Sequence, residues 1–397
     1  MELSRDLVFP PTFRPVEATY ELFTEDHEAF RKSVADFVQR ELAPNAEQWE
    51  RAEDFPKEIF RRVGELGLFG MKVPEEYGGS GPDYIAEAAL IEEFAAGGSA
   101  GVNADLGAHR DLACLYVYNF GDDEQRKRWL VPALRGEIVG ALGVTEPSTG
   151  SDVAAIQTRA RRDGDDWIID GSKIFITNGA WCDFAVIAAK TDPEAGHGGI
   201  SLFVVESETD GFSRRRMKML GWRTSHTGEL VFDDCRVPAS ALLGEEGRGF
   251  YQIMQNFQWE RVSMAIGAVA GAARTYEMAK RYALDRRAFG REIGHFQVWR
   301  HRFADMASEI EMARALTYHA LRLFVHGVPC VKEVSMAKYL ACDLAFRVAD
   351  EAVQVHGGYG YMMEFPAQRA WRDARLGPIG GGTAEIMKDV IAKTLGL

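Results

Sequence analysis

The chain has 397 residues, 46% hydrophobic and 26% charged, the balance of a globular protein long enough for two or three domains with a substantial core. Its formal net charge is −13 and no Lys/Arg-rich block occurs, which argues against nucleic acid and against an anionic membrane surface as partners. The longest weakly polar run, 262–273, is short and full of Ala and Gly, so no membrane span is expected.

The amino terminus, Met1-Glu2-Leu3-Ser4-Arg5-Asp6, lacks the apolar core of a leader, and its acidic residues speak against a transit peptide. From about 24 to 136 the pattern is helical. Phe30, Val34, Phe37 and Val38 recur at helical spacing, as do Ile59, Val63, Leu66 and Leu68. Pro74, Gly78-Gly79 and Gly81-Pro82 punctuate the segment. Five cysteines (Cys114, Cys182, Cys235, Cys330, Cys342) are far apart and odd in number, with no C-x-x-C spacing. Neither a thiolate zinc site nor a disulfide framework is expected, and the expected location is a reducing compartment, the cytoplasm.

From about 138 to 247 short β-rich runs alternate with turns. The first, 138–144, breaks at Thr145 into Glu146-Pro147-Ser148-Thr149-Gly150-Ser151-Asp152. Pro147 and Gly150 are read as the second and fourth positions of a type I turn. That loop offers backbone N–H groups and neutral hydroxyls but no Lys or Arg. It suits a flat ligand with several acceptors better than a free phosphate; taken alone it reads as an ordinary strand-to-loop turn. Further runs are 167–169, 174–177, 184–188, 200–205 and 230–232, with Asp163-Gly164 and Asp170-Gly171 read as hairpin turns.

Helical patterning returns at Gly249, over 249–288, 296–326, 330–357 and 380–395, and four long helices in succession suggest a bundle. On the first of them Ile253, Phe257, Glu260 and Met264 share a stripe that Gly267 and Gly271 continue, with Trp259 as neighbour. A carboxylate among apolar side chains is desolvated and becomes a better base near neutrality. The plainer alternative is that Glu260 pairs with Arg261 or another cation. Gly377-Pro378-Ile379-Gly380-Gly381-Gly382-Thr383-Ala384-Glu385-Ile386 is a helix-entry loop whose glycines allow close approach to the backbone, with Thr383 as N-cap. Arg286-Arg287-Ala288-Phe289-Gly290 with His295-Phe296-Gln297 gathers a guanidinium, an aromatic face and an amide. Such a set could hold a pyrophosphate and an adenine ring. Gln354-Val355-His356-Gly357-Gly358-Tyr359-Gly360-Tyr361 ends a helix in glycines; both pieces also read as helix-capping junctions. No strand leads into G-x-G-x-x-G, no Walker A sequence occurs, and His109, His226 and His356 lack metal-ligand spacing.

Together these segments resemble the acyl-CoA dehydrogenases over about 23–397. The loop 142–152 looks like the family's flavin loop, and 167–179 (Trp-Ile-Ile-Asp-Gly-Ser-Lys-Ile-Phe-Ile-Thr-Asn-Gly) like its second flavin segment. The Arg286, Gln354 and Gly382-Thr383-Ala384-Glu385 segments look like its remaining signatures. The resemblance implies an α+β multidomain fold: an N-terminal all-α domain (1–137), a middle β domain (138–247) and a C-terminal four-helix bundle (248–397), assembled as a homotetramer. It implies FAD, with the flavin ring against Leu142, Val144, Thr145, Ser151, Phe175 and Thr177. Arg286, Phe289, Gln297, Gln354 and Gly358 of a neighbouring subunit would meet the pyrophosphate and adenosine, and Thr383 and Glu385 would complete the site. Acyl-CoA would contact Ser151, Tyr251, Phe257, Arg261, Gly381 and Gly382, and Ser225 and Thr227 would touch the carrier arm.

Many members carry the catalytic glutamate at the position of Gly381, which has no side chain here. Isovaleryl-type and long-chain-type members place it on the first long helix of the C-terminal domain, before an arginine, and Trp259-Glu260-Arg261 matches that position. The implied reaction is dehydrogenation of an acyl-CoA thioester to the trans-2-enoyl-CoA. Glu260 takes the α-proton, flavin N5 takes the β-hydride, and an electron-transfer flavoprotein is the final acceptor. Alternatives are an acyl-CoA oxidase passing electrons to oxygen, the monooxygenase branch, which needs no such glutamate, and a non-catalytic binding protein on the same fold.

Overall fold

The computed structural model describes residues 22–397; the leaderless reading of Met1 to Asp6 lies outside them. Its helices of six or more residues before the sheet are α1 (Glu25–Phe37), α2 (Ala46–Ala52), α3 (Glu58–Glu65), α4 (Tyr84–Phe94), α5 (Ala100–Gly107) and α6 (Leu115–Phe120). Wider π turns at Val38–Leu42, Ala108–Cys114 and Arg126–Leu130 break the helical period. The strands follow: β1 (Gly140–Gly143), β2 (Arg159–Asp163), β3 (Asp166–Ile176), β4 (Phe184–Lys190), β5 (Ile200–Glu206), β6 (Phe212–Arg216), β7 (Gly228–Pro238) and β8 (Leu242–Leu243). After them come α7 (Gly249–Asp285), α8 (Gln297–Val325), α9 (Val331–His356), α10 (Pro366–Ala374) and α11 (Ala384–Thr394). The order helices, sheet, helices is the expected fold class.

The chain packs as two compact units. The sheet unit comprises residues 41–87 and 97–260. Its strands run in the order β6-β7-β3-β2-β4-β5-β8, with β1 added to β4 in parallel, Gly140 opposite Phe184 and Gly143 opposite Ile187. In β4 and β5 six successive residues are buried (Phe184 to Ala189 and Ile200 to Val205). Strands covered on both faces read as continuous apolar runs, and these do. Trp167, Ile187, Phe203, Leu230 and Phe232 join them in the core cluster.

Two turn expectations need correction. Asp163 pairs with Asp166 across a two-residue hairpin, with Gly164 at φ 64°, as expected. Asp170-Gly171, however, lies inside β3 at a bulge. Gly171 sits at φ 146°, and a Cβ there would come 2.5 Å from the Thr158 hydroxyl, so the glycine serves a close approach and not a turn. After β1, Thr149 N–H donates to the Glu146 carbonyl at 3.1 Å. Thr149 therefore holds the fourth position of the Pro147 turn, and Gly150 falls just beyond it.

The helical unit comprises residues 22–40, 88–96 and 261–397. Buried residues recur at helical spacing in α8 (Phe303, Met306, Ile310, Ala313, Thr317, Leu321) and in α9 (Val334, Lys338, Ala341, Leu344, Val348, Ala352, Val355). Burying each Ile or Leu of these stripes contributes about 1.5–3 kcal/mol. The fourth expected long helix is shorter: 380–383 stay outside α11, and α10 is an additional element. Leu66, expected on a buried stripe, lies just after α3 and is half exposed.

Candidate active site

In the sheet unit the loop after β1 is pinned from within. Lys173 on β3 is fully buried; its Nζ donates to the Val144 carbonyl (3.1 Å) and to Glu146 Oε1 (2.8 Å). Glu146 also accepts the backbone N–H of Gln157 (2.5 Å) and of Thr158 (2.9 Å). Burial pushes the Lys173 ammonium down to about 8 against the pull of Glu146. Burial would raise the Glu146 carboxyl, but the Lys173 charge and these hydrogen bonds hold it below the ordinary carboxylate range. Ile174 N–H donates to the Thr145 carbonyl at 2.9 Å, which joins the two expected flavin segments directly.

Leu142 and Val144 are buried, Thr145 and Thr177 half-buried and Ser151 exposed. Phe175 is 63% exposed at φ 61°, a left-handed backbone that bulky residues adopt only when neighbours impose it. Behind this loop His109 Nε2–H donates to the Ala133 carbonyl (2.9 Å), and Nδ1 accepts the Gly140 N–H (3.0 Å). The imidazole is therefore neutral in a single tautomer, and burial pushes its pKa down to about 4. Ser225 and Thr227 are buried; the Ser225 hydroxyl donates to Asp105 (2.5 Å) and lies 2.9 Å from that of Thr227.

On α7 the fully buried stripe is Ile253, Asn256, Trp259, Val262, Ile266 and Val269. Of the expected stripe only Ile253 belongs to it. Phe257, Glu260, Met264, Gly267 and Gly271 form a half-buried shoulder beside it, and Tyr251 is exposed. The helical period of a 37-residue helix leaves both stripes open to a sequence reading, and packing chooses one. Trp259 is anchored: its indole N–H donates to Asp111 Oδ1 at 3.0 Å. Asp111 belongs to a buried set of two cations and two anions. Lys72 contacts Glu87 (2.5 Å) and Asp111 (2.8 Å), and Arg110 contacts Glu87 (2.9 Å) and Asp111 (2.7 Å). Burial opposes the Asp111 anion, yet Arg110 and Lys72 hold its carboxyl well below the usual range.

In the helical unit Arg286 follows the last residue of α7 and leads into a small hairpin, Arg287–Ala288 paired with Arg291–Glu292. Phe289 stands at its tip, 96% exposed at φ 52°. Arg286 and Gly358 line one cavity of about 490 Å³ with Tyr282, His356, Tyr359 and Met362. Gln297 opens α8 and Gln354 lies near the end of α9, both exposed. Gly381 and Gly382 take φ of 62° and 96°; a Cβ on Gly382 would meet Met387 Cε at 2.6 Å and approach Arg261 Nη2 at 3.8 Å. Thr383 is the N-cap of α11, accepting the Ile386 N–H at 3.3 Å. Its own backbone N–H and Thr383 hold the exposed Glu385 carboxyl below the ordinary range.

Sequence reasoning missed three buried groups: Lys173, the Asp111 set, and Lys338, whose Nζ donates to the carbonyls of Gly377 (2.9 Å), Gly380 (2.6 Å) and Gly382 (2.6 Å). A lysine at an otherwise apolar periodic position was the available signal in both Lys173 and Lys338. Among the described residues no cluster of three or more His, Cys, Asp or Glu is arranged to hold a metal, and no helix is long and apolar enough to cross a membrane.

Residues 24–137 match the family description "Acyl-CoA dehydrogenase, N-terminal domain", 141–235 its middle domain and 247–396 its C-terminal domain. The long-chain specific acyl-CoA dehydrogenase of Sus scrofa mitochondria is 40% identical over 378 residues, covering 94% of this chain and 87% of that protein. The crystal structure of an acyl-CoA dehydrogenase from Geobacillus kaustophilus superposes with a TM-score of 0.93 at 41% identity, covering 96% of this chain and 100% of the other. A glutaryl-CoA dehydrogenase from Mycobacterium smegmatis, solved in complex with FADH2, superposes at 0.89 with 30% identity over 94% of this chain and 95% of its own.

Proposed function

We propose, for a chain that belongs to the acyl-CoA dehydrogenase family, that Glu260 is the base in FAD-dependent oxidation of an acyl-CoA thioester to its trans-2-enoyl-CoA. The residues present suit FAD. The sheet unit offers apolar Leu142 and Val144 with the hydroxyls of Thr145 and Thr177 beside an exposed Phe175. The helical unit offers the Arg286 guanidinium at the edge of a cavity, a cation for a pyrophosphate. Bound FAD supplies the two-electron acceptor, at N5, for the hydrogen that leaves the β-carbon. The chain's own contributions are a proton acceptor and a hydrogen-bond donor. The Glu260 carboxylate takes the α-proton and becomes the neutral acid, while the Gly381 backbone N–H receives the thioester oxygen as it gains charge.

One observation carries the assignment: Gly381 has no side chain and a left-handed backbone, so the carboxylate must come from elsewhere, and Glu260 stands on the half-buried shoulder of α7. The reading includes the remaining expected contacts, Phe289, Gln297, Gln354, Gly358, Thr383 and Glu385 toward the cofactor and Ser151, Tyr251, Phe257, Arg261 and Gly382 toward the substrate. It also includes domain limits at 137/138 and 247/248, an electron-transfer flavoprotein as acceptor and a homotetrameric enzyme. Because Gly380 and Gly381 leave room beside the thioester, the favoured acyl group is branched, bulky or long.

Glu260→Gln is expected to stay yellow and FAD-loaded while turnover falls by roughly 2–4 orders of magnitude, the range of a lost general base. Near-normal turnover would reject the assignment. Rates with isovaleryl-, octanoyl-, palmitoyl- and citronellyl-CoA rank the acyl groups. Peroxide formed without an added acceptor would replace the dehydrogenase reading by the oxidase one.

A further inference from the structure

Lys338 presents a buried ammonium to backbone. It sits on the buried stripe of α9 with no exposed surface, and its Nζ meets the carbonyl oxygens of Gly377, Gly380 and Gly382 at 2.9, 2.6 and 2.6 Å. An ammonium has three donors, and three acceptors from one six-residue loop converge on them. Taking such a charge out of water is costly unless hydrogen bonds replace the solvent, and here the loop supplies them.

We infer that Lys338 is a positioning residue for the reaction: it fixes and polarises the Gly380–Gly381 peptide so that the Gly381 N–H is aimed at the thioester oxygen. This rests on the assignment of the Gly381 N–H made above. The peptide unit is planar and trans, so the Gly380 carbonyl and the Gly381 N–H belong to one rigid plane and point in opposite directions. Holding the oxygen toward α9 fixes the direction of the N–H away from it. The grip on Gly382 fixes the next plane but one, and the left-handed pair Gly381 (62°) and Gly382 (96°) turns the chain between the two anchors. The other end of the loop is tied as well, since Ala384 N–H donates to the Pro378 carbonyl at 3.0 Å and Thr383 caps α11. A charged donor on the Gly380 oxygen also draws electron density through the amide and makes the Gly381 N–H a stronger donor.

The test uses FAD-loaded enzyme with Lys338→Met, which keeps most of the volume, and Lys338→Gln, which keeps a shorter polar group. A 3-thia-acyl-CoA serves as probe: it has an acidic α-C–H but sulfur in place of the β-carbon, so it can lose the proton and not the hydride. Its anion against oxidised flavin is read by long-wavelength absorbance. The expected result is normal flavin content and a KM within threefold of the parent, with kcat lowered about 100-fold, the scale of a lost oxyanion donor. The apparent pKa of the bound probe should rise by about one unit, a tenfold loss of anion at fixed pH. Lys338→Gln should lie between the parent and Lys338→Met. Flavin-loaded variants that ionise the probe and turn over as the parent does would overturn the inference. So would loss of folded, flavin-loaded protein in both variants, which would assign Lys338 to folding alone. Parent enzyme that fails to ionise the probe would instead sink the function proposed above, and this inference with it.

Discussion

His109 shows how one buried side chain sets a pH limit. Its ring is neutral, bonded on both nitrogens to backbone, and its pKa is pushed to about 4 from 6.5 by burial. Between those values the unfolded chain takes up a proton that the folded one refuses. The stabilisation is therefore complete above pH 6.5 and lost progressively as the pH falls toward 4. The loss amounts to about 3 kcal/mol from this group. Urea denaturation from pH 7 to 4 should show a steeper decline for the parent than for His109→Gln; parallel profiles would contradict it. Glu146 acts in the same direction lower down, because its carboxyl is held below its ordinary 4.5, chiefly by Lys173 against the opposing effect of burial. Neither residue was visible as special in the sequence. Apart from the Lys173 ammonium on Glu146, the partners given above are backbone groups of Ala133, Gly140, Gln157 and Thr158, and main-chain hydrogen bonding leaves no mark on residue identity.

Among the elements, the short strand β1 controls where the proposed flavin loop begins. Among the described residues it pairs with β4 alone, and Gly140 leaves no room for a side chain: a Cβ there would lie 2.5 Å from Ala113 Cβ and from Phe184 Cζ. Gly140→Ala is expected to cost about 1–3 kcal/mol, as overpacking of a full core does. It should also weaken flavin retention, read by urea midpoint and by flavin released on dilution. In the helical unit Ile310 of α8 is fully buried, and Ile310→Ala should cost about 2–5 kcal/mol while leaving the Pro147 loop of the sheet unit unaltered. The expected elements came from period and punctuation, and those signals are strong where one face is buried. They misled at Asp170-Gly171, where a turn dipeptide serves a bulge. They misled again on α7, where two stripes about one residue apart compete and Trp259, tied to Asp111, selects the rotation.

For the whole molecule, the proposed assembly explains an otherwise costly arrangement. Phe289 is 96% exposed at the hairpin tip with a left-handed backbone, and Tyr361 and Met363 are exposed in the same unit. If a second subunit supplies the adenosine-facing residues, Phe289→Asp should lower flavin content together with the mass of the particle. Light scattering coupled to size exclusion checks both at once; flavin-saturated tetramer in the variant would separate cofactor binding from this residue. The net charge of −13 predicts weak retention on heparin and on anionic vesicles at physiological salt.

Residue type and spacing already carried the class: helical, then β, then helical patterning, five signatures in family order, and a glycine at 381 where the resemblance puts a carboxylate in many members. Those features are local. Packing set which stripe of α7 is buried, hung the Pro147 loop on a buried Lys173–Glu146 pair, and brought Lys338 to three carbonyls of a loop 39 to 44 residues downstream. The physical reason is that buried charge is stabilised by groups distant along the chain, many of them main-chain, and only folding brings them within hydrogen-bond reach.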